Sequence, residues 1–336
     1  TPSTSQNLPS TVRTESGSYC IQLLSQGRGF PLYVPGPRMN LPAEYRRNGI
    51  AIGDVGRVTE DGIFDFFFNI YLSPENPINA NVPEDFVPLA SYDPIDIFQE
   101  DIDPGNYVST PSVQHEMNPD FVFNSFESTG AVLALPHGGR LEKLGNLGTM
   151  RKYAAENAES WYKYVNGTRG RELPNGSLYL VTGWEKAKSW GMASFRDVVI
   201  PQNEFWRLCF IPITDADTDY KYRWQAGPAR YKYADPPPVD GTPLNQTTFI
   251  HAFTISLCEG IWGKLFGDVE VSELTDSTLS KSGQGFVPYS SQSSSWSWSL
   301  SLFGGSSNSG VKHCTGQDPV ILSDVSPIPK VCHERS

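Results

Sequence analysis

Three carboxylates at alternate positions are the first candidates for metal chemistry in this chain. Asp215, Asp217 and Asp219 are spaced like the first ligands of a calcium-binding loop, in which alternate side chains converge on a hard cation. The pattern then stops, because Tyr220 stands where such a loop needs glycine and Ala226 where it needs the closing glutamate. The segment is therefore either a Ca²⁺ site or an acidic turn between strands, and no other cofactor is predicted.

A hydrolase is the second kind of chemistry that the residue types allow. Glycoside hydrolysis uses two carboxyl groups about 5–10 Å apart, and a Pro-rich segment offers Asp93, Asp96, Glu100, Asp101 and Asp103. The alternative is a solvated acidic loop. His251 and Cys258 are too far apart along one strand to touch, so a carboxylate or Cys/His site would have to be assembled in three dimensions.

A strand of alternating serine and apolar residues, 293–303, is the most unusual segment. Its apolar face consists of Trp296, Trp298, Leu300 and Leu302. Such a strand can pack on the core, pair with another copy of the chain, or insert at a membrane interface. Exposed aromatic rings on a β-rich scaffold also permit sugar stacking. Self-association, a glycan and a membrane are therefore the candidate partners.

Composition sets the limits for these alternatives. The chain has 336 residues and a formal net charge of −11, so it repels phosphate backbones and nucleic-acid binding is not expected. The sequence contains no apolar run of about 18 residues and no signal-peptide pattern. Five cysteines at wide spacings suit reduced thiols, which favours a cytoplasmic protein, although Thr1 could result from processing. Whether the sequons at Asn166, Asn175 and Asn245 are glycosylated is left open.

One helix and the strands after it are predicted to organise the fold. Apolar residues recur at spacings of three and four from about 150 to 165, which predicts an amphipathic helix with one buried face. The runs 178–181 and 190–195 read as buried strands. The expected fold is α+β, with a mostly antiparallel β-sheet, this principal helix and long Pro-rich loops.

The other segments are predicted to be mainly strands and loops. Residues 19–24 are expected to form a short strand, and 50–58 with 63–72 a β-hairpin in which Phe64, Phe66 and Phe68 share one face. Residues 73–113 read as a long loop that wraps the core. A further hairpin is expected over 121–135.

The chain is divided into an N-terminal arm, one domain and a tail. Residues 1–18 are polar without periodicity, 19–276 hold the periodic segments, and 277–336 are rich in Ser and Gly. The arm and the tail are not expected to form domains.

Several runs of the central domain resemble those of a large family of uncharacterised proteins from mushroom-forming (basidiomycete) fungi. They are Gly29-Phe-Pro-Leu-Tyr-Val, Ile52-Gly-Asp-Val-Gly, Phe64-Asp-Phe-Phe-Phe-Asn-Ile, Ser160-Trp-Tyr-Lys-Tyr, Leu178-Tyr-Leu-Val-Thr-Gly and Ser189-Trp-Gly-Met-Ala-Ser-Phe. The likeness extends over about 27–266. It implies a fungal origin and an intracellular protein, and it assigns no functional residue.

Three functions of different class are consistent with the sequence. The first is a non-catalytic cytosolic binding or self-assembling protein of fruiting-body, defence or lectin-like type, because no catalytic motif is complete. The second is a hydrolase whose site is assembled in three dimensions. The third is a membrane-acting, pore-forming protein that uses the strand 293–303.

Overall fold

The computed structural model describes residues 14–116, 121–200, 204–215, 218–225, 227–234, 243–266 and 320–324, and gives the backbone alone for 214–215, 218–221 and 320–324. The described residues form three antiparallel sheets and four α-helices. The predicted α+β fold with mostly antiparallel strands is confirmed.

The large sheet has eight strands and is organised around one long strand, β10. One edge of β10 pairs with β15, and its other edge is shared by β2 and β9. Strands β1 and β16 lie on the outer edge of β15, β3 pairs with β2, and β4 pairs with β9. The strands are β1 (Phe30–Pro31), β2 (Asp54–Val58), β3 (Phe64–Asn69), β4 (Ile97–Ile102), β9 (Gly139–Leu144), β10 (Leu178–Ala187), β15 (Gln246–Leu257) and β16 (Val320–Asp324).

Two four-stranded sheets pack face to face beside the large sheet. The middle sheet has the order β14, β11, β8, β5, and the outer sheet has the order β13, β12, β7, β6. Gly191 on β11 lies under the Phe210 ring of the outer sheet, where a Cβ would come within 2.5 Å of that ring. The strands are β5 (Asn106–Ser109), β6 (Val113–His115), β7 (Phe121–Ser125), β8 (Gly130–Leu135), β11 (Trp190–Phe195), β12 (Trp206–Asp215), β13 (Thr218–Gln225) and β14 (Arg230–Ala234).

The principal helix covers one face of the large sheet. The four helices are α1 (Glu15–Leu24), α2 (Ala43–Asn48), α3 (Gly148–Lys163) and α4 (Glu259–Phe266). In α3 the Trp161 ring meets Phe68 edge-on at 5.5 Å, and Tyr162 donates a hydrogen bond to the Ile255 carbonyl. The predicted helix is confirmed. Its α-helical part ends at Lys163, slightly before the predicted end at about 165, and the chain continues into a π-helical turn, Tyr164–Thr168.

The first predicted strand is wrong, because residues 19–24 belong to α1. The Thr14 hydroxyl caps this helix by accepting a hydrogen bond from Gly17 N at 3.1 Å. Tyr19, Leu23 and their neighbours are buried between the large and middle sheets. A short apolar run does not distinguish a strand from a buried helix. The signal for a helix here is Thr14, an N-cap residue that precedes the run.

The β2–β3 hairpin is confirmed, but its predicted side-chain alternation is wrong. The register steps from Val55↔Phe68 to Gly56↔Phe66, which leaves Phe67 as an extra residue in β3. Such a bulge shifts every later side chain to the other face. Phe68 therefore packs under α3, whereas Phe66 contacts Tyr45 on the opposite face.

Two other local predictions are also wrong. β7 and β8 do not pair as a hairpin, because β7 pairs with β6 and β12 whereas β8 pairs with β5 and β11. The segment 73–113 is not a loop throughout, since it contains β4, β5 and the first residue of β6. The middle of β4 is exposed, so this strand lacks the buried face that produces a period of two.

Candidate anion-binding site

The residues that the sequence singled out for metal or assembly chemistry lie at the limits of the described chain. Asp215 ends β12 and Asp219 lies in its partner strand β13, and Asp217 lies outside the described residues. The apolar face Trp296, Trp298, Leu300 and Leu302 also lies outside them. Within the described residues, no group of three or more His, Cys, Asp or Glu could hold a metal ion. The Ca²⁺ site and the assembly strand stay predictions.

A buried carboxylate on β3, at the end of the large sheet, lies among several cations. Asp65 lies opposite Arg57 in the β2–β3 register, which places the two side chains on one face. Arg57 Nε donates to Asp65 Oδ2 at 3.3 Å, and the Asp65 side chain is 4% exposed. Local strand pairing alone thus supplies one cation to this carboxylate.

Two further guanidinium groups reach the same carboxylate from distant segments. Arg38, in the connection between β1 and α2, donates from Nη1 to Asp65 Oδ1 at 3.0 Å. Arg171, in the loop after α3, places Nε 3.4 Å from Asp65 Oδ2. The group of Arg38, Arg57 and Arg171 around Asp65 is called the arginine cluster below.

The loop that carries Arg171 is held by side-chain hydrogen bonds. The Asn166 amide accepts from Leu173 N at 2.7 Å and donates to Leu173 O at 3.0 Å, which closes the loop at its base. Arg57 Nη1 donates to the Arg171 carbonyl at 3.3 Å, and Glu172 adopts a φ of 50°, which is uncommon for a residue with a side chain. The π-helical turn and these bonds therefore fix where Arg171 lies.

The arginine cluster contains more positive charge than Asp65 requires. Glu185 provides the comparison, because this buried carboxylate is matched by one bidentate arginine, Arg28, at 2.8 and 3.1 Å. Three guanidinium groups and one carboxylate leave a formal charge of +2, in a chain whose net charge is −11. The three arginine side chains are 33, 30 and 32% exposed, so the cluster is partly open to solvent.

A fourth arginine, Arg169, lies in the same loop, two positions before Arg171. Arg169 lies over the rings of Phe67 and Tyr164, with its guanidinium carbon 5.9 and 6.0 Å from their centroids. Its Nη1 donates to the Tyr164 hydroxyl at 3.2 Å. Because Phe67 follows Asp65 by two positions on β3, Arg169 adds further positive charge along this strand.

Asp54, at the start of β2, is a second buried carboxylate of the same hairpin, and its partners are neutral. Its oxygens accept hydrogen bonds from Tyr45 Oη and Ala51 N, each at 2.8 Å, and from Asn69 Nδ2 at 2.7 Å. The side chain is 1% exposed, and burial raises the pKa of Asp54 to about 7. This carboxylate is enclosed and bonded to the protein.

Lys186 is the buried cation that faces Asp54. Its Nζ donates to the Asn48 carbonyl at 2.7 Å and lies 4.0 Å from the centroid of the Trp184 ring. Burial lowers the pKa of Lys186 to about 8, whereas the charges of Asp54 and Glu142 act in the opposite direction. Shifted pKa values near neutrality are typical of acid–base catalysts. Lys186 is only 5% exposed, however, and its bonded partner is a main-chain carbonyl, so a structural role fits it better.

Cys20 is not suited to nucleophilic catalysis. It borders a shallow pocket of about 280 Å³, including open solvent, together with Phe30, Val58 and Tyr179. Its thiol donates to the Pro31 carbonyl at 3.1 Å, and burial raises the pKa of Cys20 to about 12. The reactive form of cysteine is the thiolate, and this environment keeps the thiol protonated at neutral pH.

All three sequon asparagines use their amide nitrogens inside the fold. Nδ2 of Asn166, Asn175 and Asn245 donates to a main-chain carbonyl at 3.0, 2.7 and 2.7 Å respectively. A glycan would be attached to the same nitrogen and would compete with these bonds. In the folded chain these asparagines have structural roles.

Exposed tyrosines at the edges of the middle sheet are described rings that a sugar could reach, although Phe126 and Phe98 are more exposed, at 58 and 53%. Tyr231 and Tyr233 on β14 are each 49% exposed, and Tyr107 on β5 stacks on His115 at 4.6 Å. Aromatic faces of this kind can stack on sugar rings. A glycan partner stays a prediction.

Sequence reasoning missed the arginine cluster although one signal was present. Asp65 interrupts the run Phe64-Asp-Phe-Phe-Phe, and a charged residue inside an aromatic strand needs a partner. Cross-strand pairing pointed to Arg57. Arg38 and Arg171 could not be identified in this way, because they lie 27 and 106 positions from Asp65 along the chain.

No known protein that was compared with this chain identifies the site. The chain matches no protein-family model and no curated protein. Among the described residues, no helix is both long enough and apolar enough to cross a membrane.

Proposed function

We propose that this chain is a non-catalytic binding protein that holds an anionic ligand at the arginine cluster. The proposal is carried by one observation, the excess of two positive charges around the buried Asp65, partly open to solvent in an otherwise acidic chain. Guanidinium groups stay charged at any physiological pH and present planar forks of N–H donors that match carboxylate, sulfate and phosphate.

A binding role agrees with the properties of the groups present. Arginine does not exchange protons near neutral pH, so the cluster is suited to holding an anion rather than to acid–base catalysis. The groups with pKa values near neutrality, Asp54 and Lys186, are bonded to the protein and lie away from solvent. A fungal origin and a cytoplasmic location are part of the same proposal.

Anion titration at low ionic strength tests the proposed function. The full chain would be titrated with inorganic phosphate and sulfate by calorimetry, in parallel with the variant Arg38→Gln/Arg57→Gln. We expect binding by the wild type and at least a tenfold loss in the variant, because both removed groups donate to the site.

A matched control separates the site from general surface charge. Arg140 and Arg207 each pair with a single carboxylate at the surface, Asp101 and Glu116 respectively. The variant Arg140→Gln/Arg207→Gln removes the same charge and should bind as the wild type does. Equal losses in the two double variants would reduce the effect to net charge and refute the proposal.

Self-association is a second candidate function, and strand β16 favours it. Residues Val320–Asp324 pair antiparallel with residues 253–257 of β15, after an interval of Ser-rich sequence. A strand added from a distant part of a chain can equally be added from a second copy. The predicted assembly strand 293–303 lies in the same interval.

Light scattering on the full chain tests this second function. The variant Ile321→Pro/Ser323→Pro removes two main-chain donors from β16. We expect a multimer of the wild type that becomes a monomer in the variant. A wild-type monomer, or a multimer that persists in the variant, would count against exchange of β16. The hydrolase and the pore-forming protein stay predictions of the sequence.

A further inference from the structure

The three guanidinium groups of the arginine cluster are close enough together to share one small ligand. Each has a nitrogen 3.0 to 3.4 Å from one oxygen of the same carboxylate, Arg38 from Oδ1 and the other two from Oδ2. They reach it from three separate segments of the chain, the connection after β1, strand β2 and the loop after α3. A small oxyanion at the solvent side of Asp65 could therefore accept hydrogen bonds from more than one fork.

Most of the donors in the cluster have no protein acceptor among the described residues. Arg38 and Arg57 together make three hydrogen bonds to protein, two to Asp65 and one to the Arg171 carbonyl. Arg171 Nε is buried and forms an ion pair with Asp65, and it has no hydrogen-bond partner within the described chain, so any donors that Arg171 offers to a ligand are its two Nη groups. Each guanidinium has five N–H donors. Donor capacity is thus left over as well as charge.

The shape and charge of the ligand follow from this arrangement. A planar carboxylate is matched by one fork, whereas a tetrahedral oxyanion presents oxygens in several directions and suits several forks. A formal charge of +2 is balanced by a dianion. A phosphomonoester is a dianion near pH 7 because its second pKa is about 6. An organic sulfate ester has the same tetrahedral shape but only one negative charge.

Resting on the proposed function, we infer that the arginine cluster binds the dianionic phosphate group of a phosphomonoester. Because each arginine is about one third exposed, only the phosphate is held and the rest of the ligand stays in solvent. The phosphate can therefore belong to a soluble molecule or to a lipid headgroup, and the experiment below separates these sources.

Phenyl phosphate and phenyl sulfate are matched probes for this inference. Both would be titrated into the full chain at pH 7.5 and at pH 5 by calorimetry. At pH 7.5 we expect phenyl phosphate to bind at least tenfold more tightly than phenyl sulfate. At pH 5 the phosphate carries a single charge, so the difference between the two ligands should fall to within about threefold. Phenyl sulfate keeps its charge and reports any change in the protein itself.

The outcomes distinguish this inference from the proposed function. Equal affinities at pH 7.5, abolished by Arg38→Gln/Arg57→Gln, would overturn the dianion inference and leave anion binding intact. No binding of either probe would overturn both. If the double variant fails to fold, Arg57→Lys tests the same point, because it keeps the charge and loses the fork; a tenfold loss of phenyl phosphate binding is expected.

Vesicles identify the source of the phosphate. Those containing a lipid with a phosphomonoester headgroup would be compared with those containing a phosphodiester headgroup, by sedimentation with the full chain. Selective binding to the phosphomonoester vesicles supports the inference with a lipid as source. Equal binding to both vesicles, with no preference for phenyl phosphate in solution, overturns it.

Discussion

The two buried carboxylates of the β2–β3 hairpin differ in how the protein compensates them. Asp54 receives three hydrogen bonds from neutral donors and faces one buried cation, Lys186. Asp65 receives three guanidinium groups, all partly exposed. Both side chains are less than 5% exposed, so burial alone does not separate them. The first arrangement is enclosed and serves the fold, and the second is partly open to solvent and is the site proposed to bind an anion.

The largest loss of stability is expected when the hydrogen-bond network around Asp54 loses Asn69. In Asn69→Ala the Ile52 carbonyl, Tyr71 N and Asp54 Oδ1 each lose a partner at the end of β3. Unpaired buried polar groups cost about 1–3 kcal/mol each, so the free energy of unfolding should fall by about 4 kcal/mol. Urea denaturation measures the change.

Asn157→Ala is the control for this substitution. Asn157 makes one hydrogen bond, to the Tyr153 carbonyl within α3, so its loss should cost less than about 1 kcal/mol. Similar losses in the two variants would contradict the structural role of the Asp54 network.

The next largest effect is a pH dependence of stability that results from the raised pKa of Asp54. Burial raises the pKa of Asp54 from 3.8 to about 7, so the folded state binds a proton that the unfolded state releases between pH 4 and 7. The stability contributed by that proton is complete below about pH 4 and is lost as the pH rises through about 7. Wild type should therefore lose roughly 2–4 kcal/mol relative to Asp54→Asn across this range.

Unfolding free energies of both proteins at several pH values check this prediction. The comparison with Asp54→Asn cancels the carboxylates that the two proteins share. A constant difference between pH 4 and 7 would show that the three donors to Asp54 outweigh its burial.

The arginine cluster should bind phosphate more tightly when its carboxylate, Asp65, is removed. Asp65→Asn removes the internal counter-charge, and the three arginines should then bind inorganic phosphate about tenfold more tightly. Calorimetric titration measures the change. Weaker binding by a folded Asp65→Asn variant would mean that Asp65 is needed to orient the guanidinium groups.

The smallest effect is expected at an ion pair that contacts neither carboxylate. Arg140 and Asp101 pair across β4 and β9, with side chains that are 40 and 71% exposed. Arg140→Gln should change stability by less than about 1 kcal/mol and leave phosphate affinity unchanged. A larger change in either quantity would show that net charge, and not the arginine cluster, governs these measurements.

The elements could be predicted where local pattern and burial agree. The helix α3 and the hairpin β2–β3 are confirmed, and so are the strand runs 178–181 and 190–195, which lie in β10 and β11. The errors fall where local pattern is ambiguous. A short apolar run formed α1, an exposed strand formed β4, and one extra residue at Phe67 changed the face of Phe68.

By itself, the sequence determined the α+β class, the acidic net charge and the presence of one aromatic strand interrupted by Asp65. The hairpin supplies Arg57 to that carboxylate, and tertiary structure alone decided which other cations meet it. Arg38 and Arg171 reach it because the connection after β1 and the π-helical turn after α3 both end beside β3. Hydrophobic periodicity describes which face of an element is buried, and it contains no information about which distant polar side chains meet at its edge.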